Sequence, residues 1–147
     1  MTVEIQAVRV ATDEVVRGLA RLIPQLSRSA PPLDLTALVR LVEREGNTLL
    51  IARSEGEIVG ALTLVVFPIP TGTRARIEDV VVDESARGRG VGAALTREAV
   101  TLATAAGART VDLTSRPSRE AANRLYERLG FQPRDSRVYR LVVAEAP

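Results

Sequence analysis

Apolar and polar positions alternate through residues 3–10, VEIQAVRV, which predicts an opening strand. The period then changes. From Thr12, a candidate N-cap, the apolar positions Val15, Val16, Leu19, Leu22, Ile23 and Leu26 recur at helical spacing. Pro24 falls inside that stretch and predicts a kink or an early end, because proline brings no N–H to the preceding turn. Residues 27–32 read as a loop. Asp34 then caps a second helix that turns Leu35, Leu38, Val39, Leu41 and Val42 inward, with Gly46 as its stop. Strands over 48–53 and 57–67 follow, joined as a hairpin by Ser54-Glu55-Gly56. A breaker loop at 68–72 leads to a strand over 75–82, which carries the apolar run Ile77, Val80, Val81 and Val82. A helix over 90–106 stops at Gly107, and a strand covers 109–114. Ser118 caps a last helix ending at Gly130, and a final strand spans 136–143. The order β-α-α-β-β-β-α-β-α-β predicts an α/β layer fold around a mixed sheet.

No repeat, low-complexity tract or long linker divides the chain, so residues 1–147 read as one domain. With 46% apolar residues, a chain of this length can bury roughly 68–70% of its unfolded surface without a disulfide or metal staple. It has no Cys and no His. That excludes thiol nucleophiles, histidine bases, Ser-His-Asp triads and ordinary zinc sites, and no metal is expected. Proton transfer falls to Asp, Glu, Tyr, backbone or water.

All 20 basic residues are Arg, which removes Schiff-base chemistry and lysine self-acetylation. Acids are interspersed with these arginines, the net charge is only +2 and aromatics are 3%, so a nucleic-acid partner is not expected. No run approaches the ~20 apolar residues of a membrane span. The N-terminus reads as a strand and not as a signal peptide, which points to the cytoplasm.

The chemistry concentrates in IEDVVVDESARGRGVGAAL, residues 77–95. A strand feeds a loop holding Arg87, Gly88, Arg89, Gly90, Val91 and Gly92, and a helix follows at once. Glycine takes positive φ without the roughly 1–2 kcal/mol that a side chain adds, and it lets backbone approach a ligand closely. The resulting N–H groups at a helix N-terminus suit phosphate oxygens, and Arg87 and Arg89 can add direct contacts. A ligand-free strand-to-helix turn would leave the same pattern. Gly88, Gly90 and Ala93 also match the G-x-G-x-x-A dinucleotide fingerprint, but five residues separate Val82 from Gly88, and three strands and two helices come first. A P-loop is excluded, because no Gly-Lys-Ser/Thr exists.

Arg87-x-x-Gly90-x-Gly92 after an apolar strand resembles the acyl-CoA signature of the GNAT N-acetyltransferase superfamily. The stretch Ala122-Asn123-Arg124-Leu125-Tyr126-Glu127-Arg128-Leu129-Gly130-Phe131 resembles that family's A-x-x-L-Y-x-x-x-G-F. The spacing of the two motifs and the element order agree over nearly the whole chain. The resemblance implies a GNAT-like, mixed and mostly antiparallel central sheet flanked by helices on both faces. It implies acetyl-CoA as co-substrate, held where two neighbouring strands splay apart. Backbone groups of Val80, Val81 and Val82 would meet the pantetheine and thioester, and Arg87 to Gly92 with Ala93 would hold the pyrophosphate. Tyr126 would protonate the departing thiolate, a task that suits a phenol neutral at pH 7; its other reading is a half-buried core tyrosine.

Glu78 is the candidate base. An alkylamine with a pKa about 10 reaches pH 7 protonated, and freeing its lone pair costs roughly 4 kcal/mol. Alternation places Arg76, Glu78, Val80 and Val82 on one face, barring a bulge, and sends Asp79 the other way into a structural role. Glu78 could instead pair with Arg76. Arg119 stands where the family often has a cofactor-touching Asn seven residues before the tyrosine; Asn123 is the candidate replacement. Thr114 stands where acetylases of ribosomal-protein N-termini carry Glu, and residues 77–82 are similar to glucosamine-6-phosphate N-acetyltransferases.

These features predict acetyl transfer to a primary amine of a small molecule by direct attack in a ternary complex, since no Cys can hold the acetyl group. The alternatives are a non-catalytic acyl-CoA-binding domain, a nucleotide-binding module, or transfer to a protein N-terminus or an aminosugar phosphate. Acceptor specificity is expected in residues 22–35, 68–74 and 134–139, with Arg74, Arg134 and Arg137 favouring an anionic acceptor. The resemblance also raises homodimerisation through the sheet edge or the C-terminal strand.

Overall fold

The computed structural model describes residues 2–144. Strands β1 (Val3–Ala7), β2 (Asn47–Ser54), β3 (Glu57–Ile69), β4 (Gly72–Val82) and β5 (Val111–Asp112) form one sheet in sequential order. Every neighbouring pair is antiparallel except β4 with β5, which is parallel. Helices α1 (Asp13–Leu26) and α2 (Leu35–Glu43) separate β1 from β2; α3 (Val91–Ala105) separates β4 from β5; α4 (Glu120–Arg128) follows β5.

Alternation along β2 builds two cores. Leu50 and Ala52 join Leu62, Leu64, Ala75 and Ile77 under α3, which presents Val91, Leu95, Ala99 and Ala103 at four-residue spacing. Leu49 and Ile51 face the other way and meet Val15, Leu19 and Leu22 of α1 and Leu38 of α2. The sheet is thus helix-covered on both faces, as expected. Fully burying one such leucine is worth about 1.5–3 kcal/mol, whereas an exposed ion pair gives about 0.2–1. The cores, and not the Arg53–Glu14 pair at 2.7 Å, therefore set the layers.

Both expected caps form: Thr12 Oγ1 accepts from the Val15 N–H at 3.3 Å, and an Asp34 carboxylate oxygen accepts from that of Ala37 at 2.8 Å. The helix runs through Pro24 to Leu26, the last apolar position of the pattern, so the early end expected from proline does not occur.

Four further expectations change. The loop expected at 68–72 is a tight turn, because β3 and β4 pair out to Ile69 and Gly72. Ser118 does not cap α4; Arg119 occupies that position and makes no side-chain cap bond. The strand expected over 109–114 reduces to Val111–Asp112. The strand expected over 136–143 does not form: its residues lie outside the sheet, and Tyr139, Leu141 and Val143 are each at least 85% exposed. A strand needs a partner edge as well as a pattern, and none lies beside this segment among the described residues.

Candidate active site

The site begins with an irregularity in β4. Thr63 pairs with Glu78 and Ala61 with Val81, so Leu62 alone faces both Asp79 and Val80. This is a β-bulge, and Asp79 absorbs it with φ of 52°, a left-handed conformation that aspartate tolerates better than most side chains. The extra residue resets the alternation. Ala75 and Ile77 point toward α3, and past the bulge Val80 and Val82 do so again, while Val81 joins the core under α1 and α2. The sequence expectation that Glu78 shares a face with Val80 and Val82 is therefore wrong. One inserted residue moved it.

Glu78 is half-exposed and pairs with Arg76, whose Nε donates to Oε2 at 3.2 Å. Arg76 Nη2 also donates to Thr114 Oγ1 at 3.2 Å, which spans from β4 to the chain beyond β5. Asp79, assigned to structure by the alternation argument, lies at the surface beside Glu78 with its carboxylate partly desolvated. That partial burial raises its pKa from the ordinary aspartate value, and the negative charge of Glu78 adds to the effect. An acidic residue interrupting an apolar strand was the available signal for it.

After β4 the chain enters a single 3₁₀ turn, Glu84–Ala86, with Asp83 as its cap. Asp83 accepts from the Ser85 N–H at 3.0 Å and from the Ser85 hydroxyl, and these bonds, with one from Gln25, hold its pKa below the ordinary value. Arg87 follows, its Nε donating to the Val82 carbonyl at 3.2 Å. Gly88 and Gly90 then take φ of 78° and 80°, and a Cβ built on either would meet nothing within 4 Å. Gly90 is the N-cap of α3 and offers no side chain to the first N–H groups of the helix. First-turn N–H groups without a side-chain cap, open space at the glycines and flanking Arg87 and Arg89 fit a pyrophosphate.

The next turn of α3 closes the site. A Cβ on Gly92 would lie 3.5 Å from Leu125 Cδ2 and 3.8 Å from Val82 Cγ2, so the end of β4, the start of α3 and α4 meet there. Val91 is buried, whereas Gly92 and Ala93 remain partly accessible. Tyr126, next to Leu125, is 7% exposed and stacks edge-on with Phe131 at 5.9 Å between ring centres. Burial raises its pKa, opposed by the charge of Arg119, so the phenol holds its proton at neutral pH. Asn123 is a brace: its Oδ1 accepts from Ser115 Oγ at 2.5 Å and its Nδ2 donates to the Arg116 carbonyl at 3.0 Å. The pairing of β4 with β5 covers only Ala75–Val111 and Arg76–Asp112. Beyond it, residues 77–82 of β4 have no strand neighbour on that side among the described residues.

A model of the acetyltransferase (GNAT) family matches residues 18–131. The chain belongs to that family. The matched stretch of this GNAT chain contains the bulge, the glycine loop and Tyr126. Over 111 residues it is 35% identical to a glucosamine 6-phosphate N-acetyltransferase of Trypanosoma brucei brucei, covering 70% of this chain and 74% of the relative. Among solved structures, an acetyltransferase of Trypanosoma brucei superposes with a TM-score of 0.80 at 29% identity, covering 97% of this chain and all of the other. A transcriptional regulator from Bacillus halodurans superposes with a TM-score of 0.81 at 27% identity, covering 96% of this chain and all of the other. Among the described residues of the GNAT chain, no group of three or more Asp, Glu, His or Cys stands where it could hold a metal, and no helix is long and apolar enough to cross a membrane.

Proposed function

We propose that this GNAT chain transfers acetyl from acetyl-CoA to the primary amine of a small molecule that also carries an anionic group, by direct attack in a ternary complex. The observation that carries the reading is the convergence at Gly92 of an open glycine loop, an unpaired strand end and the helix bearing Tyr126. The loop from Arg87 to Ala93 holds the pyrophosphate, and Val80, Val81 and Val82 line the acyl arm. Bound there, acetyl-CoA supplies the activated thioester.

Asp79 takes the first proton from the ammonium group, and the charge of Glu78 draws the cation in. The freed nitrogen attacks the thioester carbon, and backbone donors at the bulge meet the charge that builds on its oxygen. The C–S bond breaks, and Tyr126 donates its proton to the sulfur. Of the three protons on the ammonium, one passes through Asp79 to solvent, one stays on the amide and one restores the Tyr126 hydroxyl. Asn123 contributes by bracing α4 against 115–116.

Glucosamine 6-phosphate is the first acceptor to test, because the trypanosomal relative is named for it and Arg74 and Arg76 share the sheet face that carries Glu78. Calorimetry with acetyl-CoA and CoA should give micromolar binding to wild type and none to Gly90→Glu, which sets a carboxylate in the anion site. Tyr126→Phe should bind normally and turn over slowly. Absence of CoA binding to folded wild type would reject the reading. The similarity to a transcriptional regulator favours one rival, an acyl-CoA-binding domain without catalysis; wild type that binds CoA but acetylates no amine would support it.

The exposed segment 136–143 supports a homodimer in which it adds as a strand to a second copy. Its apolar residues Tyr139, Leu141 and Val143 recur every second position, as a strand burying one face requires.

A further inference from the structure

Gln25 is the last residue but one of α1, far in sequence from the glycine loop, yet its amide touches both residues that lead into it. Nε2 donates to Asp83 Oδ1 at 2.8 Å, and Oε1 accepts from the Glu84 N–H at 3.1 Å. The same Nε2 lies 3.2 Å from the Arg21 carbonyl one turn back, which folds the side chain against its own helix. Asp83 in turn caps the 3₁₀ turn, and its own N–H donates to the Val59 carbonyl at 2.8 Å. The entry to the loop is therefore held from two directions, by β3 and by α1. Beyond Arg87, whose Nε donates to the Val82 carbonyl, Gly88 and Gly90 adopt their positive φ beside open space, so the shape of the loop depends on how its entry is held.

We infer that Gln25 is a positioning residue for the acyl donor, fixing the entry of the glycine loop so that the N–H groups of Gly88 and of residues 90–92 are already arranged for phosphate oxygens. This rests on the acetyl-CoA reading above. Preorganisation raises affinity by removing an ordering cost at binding, so its loss weakens binding while the chemical step of the filled site proceeds as before. Two exposed, neutral or singly charged bonds set the scale at a several-fold effect.

The experiment is calorimetric CoA binding, with steady-state kinetics wherever turnover is found. Gln25→Leu, close in size but without polar atoms, should weaken CoA binding three- to tenfold and raise KM for acetyl-CoA equally, with kcat within twofold. Gln25→Glu sets a carboxylate against Asp83 and should weaken CoA at least as much. Adding Asp83→Asn to it exchanges donor and acceptor across the 2.8 Å contact while leaving an oxygen for Ser85, and should restore CoA affinity to within twofold of wild type. A merely destabilised fold would not recover in that double variant. Wild type that binds CoA, with Gln25→Leu equal to it or Gln25→Glu/Asp83→Asn no better than Gln25→Glu, overturns the clamp alone. Wild type that binds no CoA overturns the acetyl-CoA reading and the clamp with it.

Discussion

Asp79 and Glu78 are adjacent carboxylates in different surroundings. Glu78 has Arg76 as a partner, while Asp79 is partly desolvated and feels the charge of Glu78. A base must be ionised to take the amine's proton, so a raised pKa moves the acid limb of kcat/KM up from where an ordinary aspartate would put it. Replacing Glu78 by Gln removes the smaller of the two causes, and the acid limb should move to lower pH without reaching that of an ordinary aspartate. Asp79→Asn should lower kcat by about 10²-fold or more, the ordinary worth of a general base. A limb that stays in place in Glu78→Gln, or full activity in Asp79→Asn, would remove Asp79 from this role. Tyr126 works in the opposite sense. Its raised pKa keeps a donor proton available across the neutral range.

Most elements were legible because each rests on a local pattern. Thr12 and Asp34 announce helices by accepting the N–H groups that a first turn leaves over, and the glycine loop announces itself by needing positive φ. What was hidden had non-local causes. The alternation of β4 holds on either side of Asp79, but nothing in the letters says that two residues face Leu62 instead of one. The bulge alone carried Glu78 off the face of Val80 and Val82. Gln25 was equally silent, since its meaning comes from a loop 58 residues further on. Pro68 read as a breaker, yet it lies in β3 opposite Thr73, near the hairpin end where a missing N–H does least harm. Of the candidate site, the glycine turn at the start of α3 and the place of Tyr126 on α4 were readable; the carboxylate arrangement was not.

On the scale of the whole molecule, the segment 136–143 has a strand's pattern and no strand's surroundings. Val138, Tyr139, Leu141, Val142 and Val143 are between 67% and 88% exposed. A run of apolar side chains this long is unfavourable in water, and pairing it with a second copy would cover it. Light scattering should give twice the 15.8 kDa chain mass, and Leu141→Asp with Val143→Asp should return the monomer with its circular dichroism intact. Wild type of single mass at tens of micromolar would overturn the dimer. The two-residue seam between β4 and β5 bears on the order in which the protein comes apart. Strands β1 to β4 are sheet neighbours in chain order, and β3 with β4 forms a long ladder joined by a tight turn. By contrast, β5 returns only after α3 and is tied to the sheet at Ala75 and Arg76. The last quarter of the chain, from β5 onward, is thus expected to be the weakest-held unit, first to detach in brief openings of the folded state. Amide hydrogens of Val111, Asp112 and α4 should exchange with solvent well before those of β2 and β3. The gap proposed to admit an acyl chain is also the line along which this protein is expected to tear.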